Sequence, residues 1–232
     1  MIVASRTHIG NVRASNQDAL LVCPGLYGVA DGMGGHKAGD VASRMAVDEI
    51  IRCLNGQKPD ESVLVQAVEQ ANLAIFREQA ENFDLSGMGT TLTMIWEDED
   101  RVLLGHVGDS RAYLLREGEM EQISEDHSMV AEMVRKGLLT AEQAKHHPYR
   151  NVITRALGSE DTVQVDVTLL DKKPGDVYLI CSDGLSEYVS LAQMRDILLS
   201  MSKDEAADQL LQLALDGGGR DNISLVIAEV ES

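Results

Sequence analysis

Residues 26–40 read LYGVADGMGGHKAGD. The first five form an apolar run with strand composition, and the pair Asp31-Gly32 that follows favours a turn. We therefore predict that the strand ends at Asp31 and that Asp40 caps a helix over residues 41–55. The four glycines after Asp31 allow the backbone to approach a bound group closely. A strand, an acid, a glycine-rich loop and a helix in this order are typical of a ligand site.

Three further strand-like runs also have an aspartate at one end; these are Asp109, Asp183 and Asp221. One Asp-Gly turn is common in proteins, but four acids at four strand ends indicate a shared site. Carboxylates that lie close together repel one another unless a cation separates them. An all-oxygen ligand set suits Mg²⁺ or Mn²⁺ better than zinc. The sequence therefore predicts a metal centre.

Arg13 and Asp18 stand just before another strand-like run. If residues 20–22 pair with residues 26–30 across a tight turn, Asp18 lies near Asp31 at the same end of the hairpin. An exposed polar loop without a function is the alternative for this segment.

The composition predicts one globular domain over residues 1–232, because 44% of the residues are hydrophobic and 25% are charged. The net charge of −18 argues against nucleic acid or an anionic membrane as partner. The three cysteines lack CxxC spacing, which disfavours a disulfide framework or a zinc site. Residues 1–10 contain no signal-peptide core and no apolar stretch has the length of a membrane span, so we expect a cytoplasmic location.

The order of the elements favours antiparallel sheets, because several strand-like runs follow one another between residues 87 and 122. Amphipathic periodicity predicts covering helices before and after them, including one over residues 204–215. Residues 124–158 interrupt the strands with two short helices and form a separate subdomain. The adjacent pair His146-His147 within it does not share a helix face, so we expect no metal role there.

Seven motifs occur in order and together resemble those of the metal-dependent serine/threonine phosphatases of the protein phosphatase 2C type, in their bacterial form. They are Arg13-x-x-Asn16-Gln17-Asp18, ADGMGGH (residues 30–36), Gly89-Thr90-Thr91, GDSR (residues 108–111), Asp126-His127, SDG (residues 182–184) and Asp221-Asn222. Each motif alone is weak, but the ordered set is highly specific. The resemblance runs from Arg13 to Val230.

The resemblance implies an α+β fold, a four-layer α-β-β-α sandwich of two antiparallel sheets flanked by helices, with residues 124–158 as a mobile flap. It implies an enzyme that hydrolyses phosphoserine and phosphothreonine by direct attack of a metal-bridged water. The expected cofactors are two Mn²⁺ or Mg²⁺ ions, with a third, weaker site in bacterial members. The expected partners are a phosphorylated protein substrate and a cognate Ser/Thr kinase pathway, and we expect a monomer.

By similarity, Asp31 bridges the two metals. The carbonyl of Gly32 binds one of them, and Asp183 and Asp221 bind the other. Asp109 joins Asp183 at the third site.

Three further residues have implied roles. Asp18 acts through a metal-bound water, and Arg13 clamps the phosphate with paired donors. His36 is the candidate general acid for the leaving alkoxide. In the eukaryotic pattern a histidine directly follows Asp-Gly, whereas this chain has Met33 there, so a structural histidine or a metal-bound water as the acid is the alternative for His36.

Three other functions compete with this interpretation. A scaffold of the same fold without catalysis is disfavoured because the acid set is complete. A nucleotide-binding P-loop is disfavoured because Lys37 does not follow a glycine, as Walker A requires. A hydrolase of nucleotides or nucleic acids is disfavoured by the acidic composition and by the 3% content of aromatic residues.

Overall fold

The structure is a computed structural model that describes residues 1–35 and 38–231. Its strands are β1 (Ile2–His8), β2 (Asp18–Cys23), β3 (Leu26–Met33), β4 (Gly89–Thr90), β5 (Leu92–Glu97), β6 (Arg101–Val107), β7 (Arg111–Arg116), β8 (Glu119–Gln122), β9 (Asp166–Asp171), β10 (Val177–Cys181) and β11 (Ile223–Glu229). Its helices are α1 (Ala38–Leu54), α2 (Glu61–Glu81), α3 (Met129–Arg135), α4 (Ala141–Lys145), α5 (Asp183–Ser186), α6 (Leu191–Ser200) and α7 (Lys203–Asp216), with a 3₁₀ turn at Phe83–Leu85.

The strands form two antiparallel sheets. One has the order β1-β11-β10-β7-β8, and the other has the order β2-β3-β5-β6-β9, with β4 paired to β3. Helices α1 and α2 pack on the β2–β9 sheet, and α6 and α7 pack on the β1–β8 sheet. A third apolar cluster joins the two sheets to each other. The four-layer sandwich predicted from the sequence is therefore confirmed.

Strand β10 shows how the layers form. Val177, Leu179 and Cys181 point to the helix layer, whereas Tyr178 and Ile180 point to the opposite sheet. Successive side chains of a strand alternate between its two faces. Because both faces are covered here, the strand is apolar at every position rather than at every second one.

Two local details at the start of the site differ from the sequence prediction. Strand β3 does not end at Asp31 but continues to Met33, because Gly32 pairs with Thr90 of β4. Helix α1 begins three residues earlier than predicted, and Asp40 therefore lies in its first turn and pairs with Arg44 at 2.8 Å. A negative charge in this position still interacts favourably with the helix dipole.

The flap, residues 124–158, lies between β8 and β9 and contains α3 and α4. Its two ends are joined at the base, where Ser128 bridges to Ile153 and the Thr154 amide donates to the His127 carbonyl at 2.8 Å. Both short helices start at a side-chain cap, Ser128 for α3 and Thr140 for α4. Within residues 1–35 and 38–231, the structure contains no helix with the length and apolar character needed to cross a membrane.

Candidate active site

The β2–β3 hairpin places two of the predicted acids side by side. Asp18 pairs with Asp31 in the strand register, which confirms the expectation that they lie at the same end of the hairpin. The backbone of Asp31 is held from the other side, because its amide donates to Thr91 Oγ1 and its carbonyl accepts from Thr90 Oγ1, both at 2.9 Å. Asp31 therefore has a fixed position near the C-terminal end of β3.

Three further acids converge on Asp31 from different parts of the chain. Asp109 follows β6, Asp183 begins α5 directly after β10, and Asp221 precedes β11. Burial raises the pKa of Asp31 well above its usual value, and the charges of Asp18 and Asp183 raise it further. The pKa of Asp183 is also raised, first by burial and then by Asp109 and Asp221. The five predicted aspartates thus form one electrostatically linked cluster.

This cluster has the properties of a cation site. Asp18 Oδ1 and Asp183 Oδ1 are buried and have no hydrogen-bond partner among the described residues, which is costly unless a ligand satisfies them. Burial also raises the pKa of Asp18 and of Asp109 to about 6. Oxygen atoms of this kind suit a hard divalent ion.

The acids are close enough to influence one another, but they are not arranged as a closed ligand set. No three His, Cys, Asp or Glu side chains in residues 1–35 and 38–231 form a ready metal-binding group.

The glycines of the 26–40 stretch allow backbone segments to pack closely beside the acids. A Cβ atom on Gly32 would lie 2.0 Å from the Gly39 carbonyl oxygen and 2.5 Å from that of Gln17. A Cβ atom on Gly39 would lie 2.7 Å from the Gly32 carbonyl oxygen. Only glycine fits at these two positions, so the loop brings the start of α1 against β3 and the segment before β2.

Arg13 lies at the rim of the cluster. Its side chain is 53% exposed and donates to Asp221 Oδ2 at 2.6 Å. That hydrogen bond raises the pKa of the Arg13 guanidinium, and the charges of Asp31 and Asp183 add to the effect. The predicted phosphate clamp is thus beside the acids.

Asn222 holds the loop that carries Arg13. Its Oδ1 accepts from the Gln17 amide at 2.8 Å, and its Nδ2 donates to the carbonyls of Ile9 and Ser15 at 2.9 and 3.0 Å. The sequence showed Asn222 only as part of a motif, and that motif did not indicate that Asn222 holds the Arg13 loop in place.

Ser182 holds Asp18 in a comparable way. The Ser182 hydroxyl donates to Asp18 Oδ2 at 3.0 Å, and its oxygen accepts from the Ser224 amide at 3.0 Å. Both serines are fully buried. The sequence indicated Ser182 only through its position next to Asp183 in the SDG motif.

A buried histidine ties the flap to the strand that leads to Asp109. His127 Nδ1 accepts from the Gly108 amide at 3.0 Å, so its Nε2 carries the proton and donates to Asp166 Oδ2 at 3.0 Å. Asp166 also pairs with Arg155 at 2.6 Å. Burial lowers the pKa of His127. No motif indicated Asp166 or Arg155, because both contacts are made only after folding.

Comparison with known proteins identifies the family. The family model described as protein phosphatase 2C matches residues 6–216. The chain belongs to the protein phosphatase 2C family. Among curated members, it is 42% identical over 230 residues to the serine/threonine protein phosphatase PstP of Mycobacterium tuberculosis, covering 98% of this chain and 44% of PstP. It is 39% identical over 237 residues to the serine/threonine phosphatase stp of Listeria innocua, covering 97% of this chain and 94% of that protein.

One solved structure similar to this chain contains metal ions. The catalytic domain of a serine/threonine protein phosphatase PstP in complex with two manganese ions superposes with a TM-score of 0.92 and 40% identity, covering 100% of this chain and 98% of that chain. The family and the fold predicted from the sequence are confirmed by these matches. His36, predicted as the general acid, lies outside the described residues.

Proposed function

We propose that this chain is a metal-dependent protein phosphatase that hydrolyses phosphoserine and phosphothreonine. The observation that carries the proposal is the convergence of five aspartates from separate segments of the chain in a member of the protein phosphatase 2C family. The manganese ions of the PstP structure support the same chemistry.

Four groups of this chain would hold two Mn²⁺ or Mg²⁺ ions. They are the side chains of Asp31, Asp183 and Asp221 and the carbonyl of Gly32, while Asp109 would join Asp183 at a third, weaker site. The unpartnered oxygen of Asp183 supports this assignment. When bound, the metal ions supply a water nucleophile at neutral pH and offset part of the phosphoryl charge.

Arg13 would bind the phosphate. Its guanidinium is held beside the cluster by one hydrogen bond to Asp221, and its exposure leaves other donors open to solvent. A guanidinium can donate to two phosphate oxygens at once, so Arg13 can orient the phosphoryl group over the acids. Asn222 keeps this loop in place, and Ser182 keeps Asp18 in place.

The leaving alkoxide needs a proton, and His36 remains the predicted donor. The partner of the enzyme would be a protein phosphorylated by a cognate Ser/Thr kinase. One domain over residues 1–232, a mobile flap and a monomer also remain predictions. A cytoplasmic location agrees with three unpaired cysteines, Cys23, Cys53 and Cys181.

The test is release of phosphate from a phosphothreonine peptide by purified protein with Mn²⁺, with Mg²⁺ and with a chelator. We expect metal-dependent activity that falls about 100-fold or more in Asp183→Asn. Asp100→Asn is the matched control, because Asp100 is 82% exposed at the opposite end of β6 from Asp109.

Two outcomes would contradict the proposal. Wild-type protein that binds metal and phosphopeptide but releases no phosphate would be a scaffold. Efficient hydrolysis of a nucleotide, with phosphoserine and phosphothreonine peptides left intact, would indicate a different esterase.

A further inference from the structure

A large groove opens beside the carboxylate cluster. Its volume is about 1010 Å³, and it lies between the flap and the segment Gly217 to Arg220, with Asp109 and Asp183 in its lining. This volume is at the upper end of the range for small-molecule sites. The groove is therefore larger than one phosphorylated side chain requires, and it has room for neighbouring residues of a substrate chain.

The groove is rich in cations compared with the rest of the molecule. The chain has 20 Lys and Arg against 38 Asp and Glu, yet the groove lining contains five of each kind. Its basic residues are Arg111, Arg135, Lys145, Arg150 and Arg220. Two of its five acids, Asp109 and Asp183, belong to the proposed metal centre.

Most of these cations are already paired. Arg111 binds Asp126 at 2.7 Å, Arg135 lies 3.4 Å from Glu125, and Lys145 lies 2.9 Å from Glu142.

Two cations of the groove have no such partner. Arg150, on the flap, and Arg220, on the opposite wall, are exposed and form no ion pair with any residue that the structure describes. The remaining acid, Glu187, lies toward the proposed metal centre, where its charge acts on both Asp109 and Asp183. The outer part of the groove therefore has two cations available to a ligand.

We propose that this groove binds the polypeptide on either side of the phosphorylated residue, and that Arg220, together with Arg150, selects substrates with acidic side chains there. The inference rests on the proposed phosphatase function and specifies its substrate class. A preference for acidic peptides is the opposite of the preference that the net charge of −18 favours, because a strongly acidic protein attracts basic peptides at long range. A preference for acidic flanks therefore needs a local cause.

The experiment uses three phosphothreonine peptides that differ only at three residues on each side of the phosphothreonine, which are all Glu, all Gln or all Lys. We expect kcat/KM with Mn²⁺ to be about fivefold higher for the Glu peptide than for the Gln peptide, the size expected of two exposed ion pairs. The ratio should approach one in about 1 M salt, where the Debye length is about 3 Å.

Variants assign the preference to the groove. Arg220→Ala should reduce the Glu/Gln ratio, and Arg220→Glu should make the Lys peptide the better substrate. Arg101→Ala is the matched control, since Arg101 is 48% exposed and lies at the far end of β6 from the groove, and it should retain the wild-type ratio. Because each ratio compares peptides on the same protein, a general loss of activity in a variant cancels.

The outcomes separate the two proposals. Equal hydrolysis of the three peptides by wild-type protein, or a ratio unchanged in Arg220→Glu, overturns the inference and leaves the phosphatase function intact. Hydrolysis of none of the peptides with either metal overturns both.

Discussion

Replacing Asp18 by asparagine should stabilise the metal-free protein at neutral pH. Asp18 is 8% exposed, and burial raises its pKa to about 6 despite hydrogen bonds from Ser182 and Ser224. An aspartate in an unfolded chain has a pKa near 3.9. Above pH 6 the folded protein therefore contains a buried charge that pairs with no cation of residues 1–35 and 38–231. Asparagine removes this charge while retaining an acceptor for Ser182.

The sign and size follow from the two pKa values. Between about pH 4 and pH 6 the folded protein keeps a proton that the unfolded chain has lost, so the free energy of unfolding falls as the pH rises through this interval and stays lower above it. One pKa unit corresponds to about 1.4 kcal/mol, so a shift of about two units costs about 3 kcal/mol at pH 7.5. The expected gain in Asp18→Asn is of that size, or about 6–12 °C in Tm.

The assay is thermal unfolding followed by circular dichroism in chelator at pH 4 and pH 7.5. Asp18→Asn should exceed wild type at pH 7.5 and match it at pH 4, where Asp18 is protonated. Added Mn²⁺ should stabilise wild type more than the variant, because the ion offsets the same charge. The exposed Asp100→Asn serves as control. A variant that is no more stable than wild type at pH 7.5, or equally more stable at both pH values, would refute the reasoning.

Two other substitutions test the backbone of the site. Gly32→Ala should lower the free energy of unfolding by about 3 kcal/mol or more in urea titrations, because its Cβ would lie 2.0 Å from the Gly39 carbonyl oxygen. Gly35→Ala is the control and should not lower it, because a Cβ atom there meets no described atom within 4 Å. Equal stability of the two variants would contradict this prediction. Asn222→Ala should raise KM for a phosphopeptide, because the loop that carries Arg13 loses three hydrogen bonds. Asn72 is similarly buried and hydrogen-bonded, so Asn72→Ala is the control for a general loss of stability. If Asn222 acts through Arg13, its substitution should add little to Arg13→Ala, and full additivity would show that it acts elsewhere.

The sequence located most of the fold but missed the strands β1 and β9 and the helices α5 and α6. Strand β9 was missed because it is a sheet edge with polar and exposed positions, and β1 was missed because its short apolar start, Ile2 to Ala4, is followed by four polar residues. Helix α6 is only ten residues long and has two buried apolar side chains. Each of these elements depends on its neighbours in the sandwich for stability, so its local signal is weak.

The chemistry of the candidate site could be predicted from the sequence, because it depends on residue types and on short sequence patterns, which need no tertiary contact to be recognised. Aspartates at the ends of apolar runs, and glycines after Asp31, identify an oxygen-rich site wherever those strands meet.

The tertiary structure alone decided how these residues act together. Asp18 faces Asp31 only through hairpin register, and Asp183 and Asp221 reach them only because the two sheets pack face to face. Burial, which raises the pKa of the acids, and the clamp made by Asn222 arise from contacts between segments some 200 residues apart. No local pattern encodes such contacts, because they depend on the packing of the whole chain.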